Sequence, residues 1–96
     1  MFTFKTDKPT GPYRSFYDPT HTIKIKKVEV GSIHHQPPHR VRLMVTKTSP
    51  NEDENPNCHW KWITLRKEFA SVEEAKDFLR KHFHAIMGQY NIWMSD

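Results

Sequence analysis

The side chains best suited to chemistry in this 96-residue chain are its seven histidines and its single cysteine, Cys58. Histidine and cysteine are zinc-binding residue types, and the candidate ligands for one zinc site are His34, His35, His39, Cys58 and His59. The chain has no Cys-x-x-Cys pair, and on a strand Cys58 and His59 would point to opposite faces. We therefore predict solvated loop histidines, no metal site and no cofactor.

Nucleophilic catalysis would need a serine or cysteine activated by a base. Cys58 precedes His59 in the sequence, and Ser15 lies close to Asp18 and His21. Catalytic triads draw their members from separate elements of the fold, so neighbours in sequence rarely form one. The three glycines are scattered and form no phosphate-binding or dinucleotide-binding loop. These observations predict that the chain is not an enzyme.

The charge balance favours polyanionic partners, but only mildly. Lysine and arginine number 15 against 11 acidic residues, which gives a net charge of +4. The basic surplus lies in residues 21–47, where Glu29 is the one acidic residue, and a short acidic block follows at residues 52–54. With one cysteine, no signal peptide and no long apolar run, we expect a cytoplasmic protein, without internal disulfides and without membrane contact.

The elements that position these side chains follow from apolar periodicity. Residues 1–20 form an aromatic, proline-rich arm in which Phe2 and Phe4 alternate with polar residues, as in a short edge strand. Residues 21–69 predict three strands, over 21–30, 40–47 and 58–69. In the first, the alternation shifts at Lys26-Lys27, which indicates a bulge or a strand end.

Residues 71–87 predict a helix, because Ser71-Val-Glu-Glu74 fits a capping box and apolar residues recur at helical spacing behind it. Gly88 is the predicted stop. Residues 88–96 form a tail that either caps the core or makes a homodimer contact. The expected fold is therefore one α+β domain, a three- or four-stranded antiparallel sheet with one C-terminal helix packed on one face.

Strand alternation separates two faces of this sheet. The apolar face, which the helix must cover, comprises Ile23, Ile25, Val41, Leu43, Val45, Ile63 and Leu65. The opposite face is predicted as the binding surface and comprises Lys24, Lys26, Arg40, Arg42, Trp60, Trp62 and Arg66. Cations neutralise phosphates and flat rings stack on bases, so this face suits nucleic acid as well as protein. Alternatively, the arm folds across Trp60 and Trp62 and buries them.

Two stretches of the chain resemble known proteins. Phe69-Ala-Ser-Val-Glu-Glu-Ala75, after a strand and at the start of a helix, resembles plant AP2-type DNA-binding domains. That resemblance implies a β-β-β-α order with Arg40, Arg42, Trp60 and Trp62 as DNA contacts. The glycines and the arginine pattern of that family's first strand are missing here.

Three longer segments resemble small uncharacterised proteins of tailed phages and prophages. They are Thr10-Gly-Pro-Tyr-Arg-Ser-Phe16, His21-Thr-Ile-Lys-Ile-Lys-Lys-Val-Glu-Val-Gly-Ser-Ile33 and Asn55-Pro-Asn-Cys-His-Trp-Lys-Trp-Ile-Thr-Leu65. This resemblance implies a viral inhibitor, acting in the host cytoplasm, that occupies the surface of a host protein or defence complex. Small anti-CRISPR proteins have a similar size and a sheet backed by helix. The alternatives are a nucleic-acid-binding module and an assembly role.

Overall fold

A computed structural model describes residues 1–12, 17–47 and 58–94 of the chain. The strands are β1 (Phe2–Asp7), β2 (Thr20–Ile25), β3 (Val28–Ile33), β4 (Val41–Thr46) and β5 (Trp60–Thr64). They form one antiparallel sheet in chain order, and the helices α1 (Val72–Lys81) and α2 (Phe83–Gln89) follow. The α+β class and the antiparallel sheet are confirmed, and Phe2 and Phe4 lie on an edge strand as predicted.

The prediction of three or four strands is wrong, because residues 21–30 fold as a hairpin rather than as one strand. Ile25 pairs with Val28, and the turn residues between them, Lys26 and Lys27, have φ values of 50° and 69°. A two-residue hairpin turn of type I′ needs positive φ at both central positions, for which asparagine and glycine are the usual residues. Two lysines carry no such signal, so the sequence indicated a bulge or a strand end instead.

The single predicted helix is also wrong, because a break at His82 divides it into α1 and α2. The capping box is present: Ser71 Oγ accepts the Glu74 N–H at 3.1 Å. Beyond the break, α2 continues through Gly88 and ends at Gln89. The second helix places Phe83 edge-on against Phe2 at a centroid distance of 5.0 Å, a contact that local helical spacing does not encode. Neither helix in the described part of the chain is long and apolar enough to cross a membrane.

The core lies between the helices and one side of the sheet, which we call the inner face. Six of the seven residues predicted for the apolar face are buried, and Ile63 is half-buried. The core cluster also takes in Phe2, Val30, Ile33, Phe69, Ala75, Leu79 and Ile86. The predicted third strand, 58–69, is shorter than expected, since β5 spans Trp60–Thr64 and the chain then turns towards the helices.

A bulge in β3 sets the spacing between the central strands. Gly31 pairs with Ile23, while Glu29 pairs with Lys24, which leaves Val30 as the extra residue. The side chain of Val30 is fully buried in the core. At Gly31 a Cβ would overlap the carbonyl oxygen of Arg42 on β4, so only glycine allows the two backbones to approach this closely.

The C-terminal tail occupies the part of β4 that β3 leaves free. β3 pairs with β4 only as far as Leu43, and beyond that point the Thr46 N–H donates to the Asn91 carbonyl at 2.7 Å. The Trp93 N–H donates to the Met44 carbonyl at 2.8 Å. Residues 91–93 thus extend the sheet, and Ile92 packs against the core, which agrees with the predicted capping role. The homodimer contact through this tail stays a prediction.

Because β3 and β4 approach closely at Gly31, we predict that Gly31→Ala and Gly88→Ala differ strongly in their effect on the free energy of unfolding. Gly31→Ala should lower the free energy of unfolding by about 1–3 kcal/mol, as expected for overpacking at a site that cannot relax cheaply. Gly88→Ala is the matched control, because a Cβ there meets nothing within 4 Å and Gly88 lies in a helix. It should raise stability by up to about 1 kcal/mol. Urea unfolding of both variants measures this, and equal midpoints would show that the contact does not constrain the sheet.

Candidate binding face

The side of the sheet away from the helices carries the candidate site, and we call it the open face. Register places Arg42 beside Thr64, Met44 beside Trp62 and Thr46 beside Trp60. Across β3 and β2 the same face continues through Ser32, Thr22 and Lys5, with Lys24 on the next row. Polar hydroxyl and cationic side chains therefore cover most of the open face, while its apolar side chains concentrate on β4 and β5.

We use the name tryptophan cluster for Met44, Trp60 and Trp62 on these strands, together with Arg42 and with Trp93 of the tail. The rings of Trp60 and Trp62 meet edge to face, with centroids 5.4 Å apart and planes at 90°. The Arg42 guanidinium lies over the Trp62 ring, 4.5 Å from its centroid. Such a contact is attractive because the ring face is electron-rich, and it holds the arginine in one orientation. Trp62 is nevertheless 38% exposed.

Trp93 joins this cluster through the tail, and the sequence did not predict it as a site residue. The bridge between Val45 and Ile92 puts Ile92 on the inner face, so alternation puts Trp93 on the open face beside Met44. Consistent with this, Ile92 and Met94 pack against the core cluster, and Trp93 is not among its residues. The Trp93 ring stacks on His59, with centroids 6.2 Å apart. Only the pairing of the tail with β4 reveals this position, and no local pattern around Trp93 encodes it.

The structure places five of the seven predicted binding residues on or beside the open face. Lys24, Arg42, Trp60 and Trp62 lie on that face. Arg40 precedes β4 and lines a small pocket with Arg42 and Thr64, and its guanidinium binds the Glu68 carboxylate at 2.7 Å. Lys26 lies in the β2–β3 turn instead, and Arg66 follows β5 and lines a groove on the helix side. For Lys26 and Arg66, the prediction extended the alternation of a strand beyond the end of that strand.

The predicted covering of the tryptophans by the arm is limited by the topology. β1 lies at the opposite edge of the sheet from β5, so residues 2–7 do not cover Trp60 and Trp62. Tyr13 and Phe16, which belong to the same predicted arm, lie outside the described residues.

Acidic neighbours compensate several cations near the open face. Lys5 pairs with Asp7 at 3.7 Å, and Lys24 lies directly opposite Glu29 on the adjacent strand. Arg42 instead packs on Trp62. Together with the pairing of Arg40 and Glu68, these contacts make the open face less basic than the sequence of residues 21–47 suggests.

A histidine pair occupies the other end of the sheet. His21 Nε2 lies 2.9 Å from His35 Nδ1, and the two rings stack with centroids 5.1 Å apart. The Thr6 hydroxyl lies 3.3 Å from the second ring nitrogen of His21. Burial lowers the pKa of His21, and the positive charges that His35 and Lys76 can bring near it lower that pKa further. The buried position of His21 was readable from its parity with Ile23 and Ile25.

The side chains considered for zinc have other contacts. The Cys58 thiol donates to the Trp60 carbonyl at 3.2 Å, and His59 stacks on Trp93. His35 is held by His21. Within residues 1–12, 17–47 and 58–94, no three histidine, cysteine or acidic side chains form a group that could hold a metal ion.

Comparisons with known proteins give no relative: no family model, no curated protein and no solved structure matches this chain. The resemblances to AP2-type domains and to small phage proteins therefore stay predictions. The chemistry of the open face is what remains to support a function.

The histidine pair predicts that stability falls in mild acid. A histidine whose pKa is lower in the folded state makes the unfolded state bind more protons, so its stabilising effect is present above pH about 6.5 and is lost below it. The free energy of unfolding should therefore fall more steeply in the parent protein than in His21→Gln between neutral pH and pH about 5. His84→Gln, at an exposed helical position, should keep the parent slope. Identical slopes for the parent and His21→Gln would contradict the assignment.

Proposed function

We propose that this chain is a non-enzymatic binding protein that acts by occupying a surface of another protein with its tryptophan cluster. The observation that carries the proposal is the exposed Trp62 ring with Arg42 packed on it, on a face that the helices leave uncovered. Tryptophan and arginine are the residues most enriched among interface positions that dominate binding energy.

The surroundings of the cluster fit a protein interface. Met44 and the half-buried Trp60 and Trp93 extend the apolar surface around Trp62. Hydroxyl side chains frame it, with Thr46 and Thr64 at two ends of the cluster and Ser32 beyond Arg42. An apolar centre with a polar rim is the usual arrangement of a specific interface, and a contiguous apolar patch on a free surface is costly unless a partner covers it.

The same contacts favour protein over nucleic acid. Gripping a phosphate backbone requires uncompensated cations, yet Lys5, Lys24 and Arg40 all have an acidic residue alongside. Stacking on a base requires a free ring face, and the Arg42 guanidinium on one face of Trp62 leaves only the other face of that ring for a base. Nucleic-acid binding is therefore the alternative that the experiment must be able to detect.

The narrower proposal concerns the partner. The resemblance to small phage proteins supports a host protein, or a host complex that processes nucleic acid in defence, as the surface that is occupied. A 96-residue chain can inhibit such a target by steric exclusion alone, which requires no catalytic group. The proposed site of action is accordingly the cytoplasm of the host cell.

The test is affinity capture from nuclease-treated host lysate, followed by titration of the captured protein against purified variants. The parent chain should retain a stoichiometric protein partner. Trp62→Ala should weaken that binding by about 2 kcal/mol or more, which is about thirtyfold in Kd, and Arg42→Ala should weaken it in the same direction. Arg80→Ala is the matched control, since Arg80 also packs on an aromatic ring, that of Phe4 at 4.9 Å, but on the helix side.

Two results would count against the proposal. If Trp62→Ala and Arg42→Ala both bind the captured partner as tightly as the parent does, the binding site lies elsewhere on the chain. Salt-sensitive binding to DNA or RNA, measured by fluorescence anisotropy and lost in both variants, would assign the cluster to nucleic acid instead. Thermal unfolding of each variant must first show that the sheet is intact.

A further inference from the structure

Strand β5 forms one edge of the sheet, and its backbone there is available for pairing. The Lys47 N–H donates to the His59 carbonyl at 3.0 Å and the Leu65 N–H to the Val41 carbonyl at 2.8 Å. Antiparallel pairing alternates, so odd-numbered residues of β5 bond to β4 and the backbone groups of Trp60, Trp62 and Thr64 point away from it. Within the described ranges, no other strand pairs with this outer side.

Two stretches of strand have no neighbouring strand of the five-stranded sheet on one side. One is the end of β4 beyond Leu43, and the other is the outer side of β5. On the β3 side of β4, residues 91–93 of the chain itself add to the sheet through the bonds from Thr46 and Trp93. The same kind of pairing on the outer side of β5 would need a segment from outside the described residues. A row of unpaired N–H and C=O groups is a template for an added strand.

A groove runs beside this edge on the helix side. Its volume is about 530 Å³, and its apolar lining comes from Ile63, Leu65, Phe78, Ile86 and Tyr90. Because Ile63 and Leu65 belong to β5 and to the segment that follows it, the groove lies where inward-pointing side chains of an added strand would be. The groove therefore offers a place for every second side chain of such a strand.

The end of the groove is cationic. Arg66 and Lys67 line it directly after β5. The Lys67 ammonium lies 5.4 Å from the centroid of Phe78 and 5.6 Å from that of Phe69, so its charge is held at the apolar lining. This pair of cations favours an acidic residue at the end of any segment that enters the groove.

We propose that the free edge of β5 and this groove bind an extended segment of a partner protein, as an added strand. The segment carries apolar side chains at alternate positions, which enter the groove beside Ile63, and acidic residues that meet Arg66 and Lys67. Main-chain hydrogen bonds to Trp62, Thr64 and the Trp60 N–H supply affinity, since the Trp60 carbonyl already accepts the Cys58 thiol. The groove and its cations supply selectivity. This site uses different side chains from the tryptophan cluster and holds whether or not that cluster binds a protein.

The probe is a fluorescein-labelled peptide of alternating valine and threonine with two glutamates at each end, titrated by anisotropy. The parent protein should bind it saturably, and the same peptide with lysines in place of the glutamates at least tenfold more weakly. Thr64→Pro should weaken binding of the acidic peptide at least tenfold, because it removes an N–H on the free side. Proline is tolerated at such an edge position, so the sheet should remain folded. Thr64→Ala, which keeps the N–H, should bind like the parent.

A charge reversal tests the cationic end. Arg66→Glu should weaken binding of the acidic peptide and strengthen binding of the lysine-flanked one. Arg80→Ala, which removes a cation packed on Phe4 at the opposite edge of the sheet, should bind both peptides like the parent. The proposal is overturned by equal binding to Thr64→Pro and Thr64→Ala, by no binding of the acidic peptide, or by a dimer in light scattering that Thr64→Pro dissolves. That last result would assign the edge to a second copy of the chain. None of these outcomes bears on the captured partner of the open face.

Discussion

The contact on which the rest of the sheet depends is the close approach of β3 and β4 at Gly31, where a side chain would collide with the Arg42 carbonyl. The adjacent bulge turns Val30 into the core, and the pairing of β3 with β4 ends at Gly31 and Leu43. This leaves the β4 backbone from Met44 to Thr46 free for the C-terminal tail. The tail in turn places Trp93 beside Met44 on the open face. The position of Trp93 therefore depends on the close approach at Gly31 on β3.

Much of the fold follows from the alternation of apolar and polar residues along the strands and from one helix N-cap. The period-two pattern over residues 40–47 gives β4, and the capping box at Ser71 gives the start of α1. The failures share a cause, which is that tertiary contacts override local preference. The turn at Lys26-Lys27 adopts positive φ without a favourable residue, and the helix breaks at His82 while Phe83 meets Phe2 from the far end of the chain.

For the candidate site, strand alternation predicted which face a side chain lies on, but only for residues within strands. Parity alone assigned Arg42, Trp60 and Trp62 to one face, because all three lie within strands that alternate without interruption. It failed for Arg66, which lies just beyond the end of β5 and lines the groove on the helix side. Trp93 was out of reach, since its face is fixed by pairing with a strand almost 50 residues earlier in the chain.

The two proposed surfaces share the backbone of β5 and the side chain of Thr64, while Trp62 points to the open face and Ile63 to the groove. As an edge strand, β5 has hydrogen bonds to only one neighbouring strand, β4. Those bonds offset only part of the conformational entropy that β5 loses when it becomes ordered. A segment added to β5 would restrict the strand and with it the Trp60–Trp62 pair. A partner on the open face would then bind a strand that is already ordered, so occupation of either surface should favour the other without any direct contact between the two ligands.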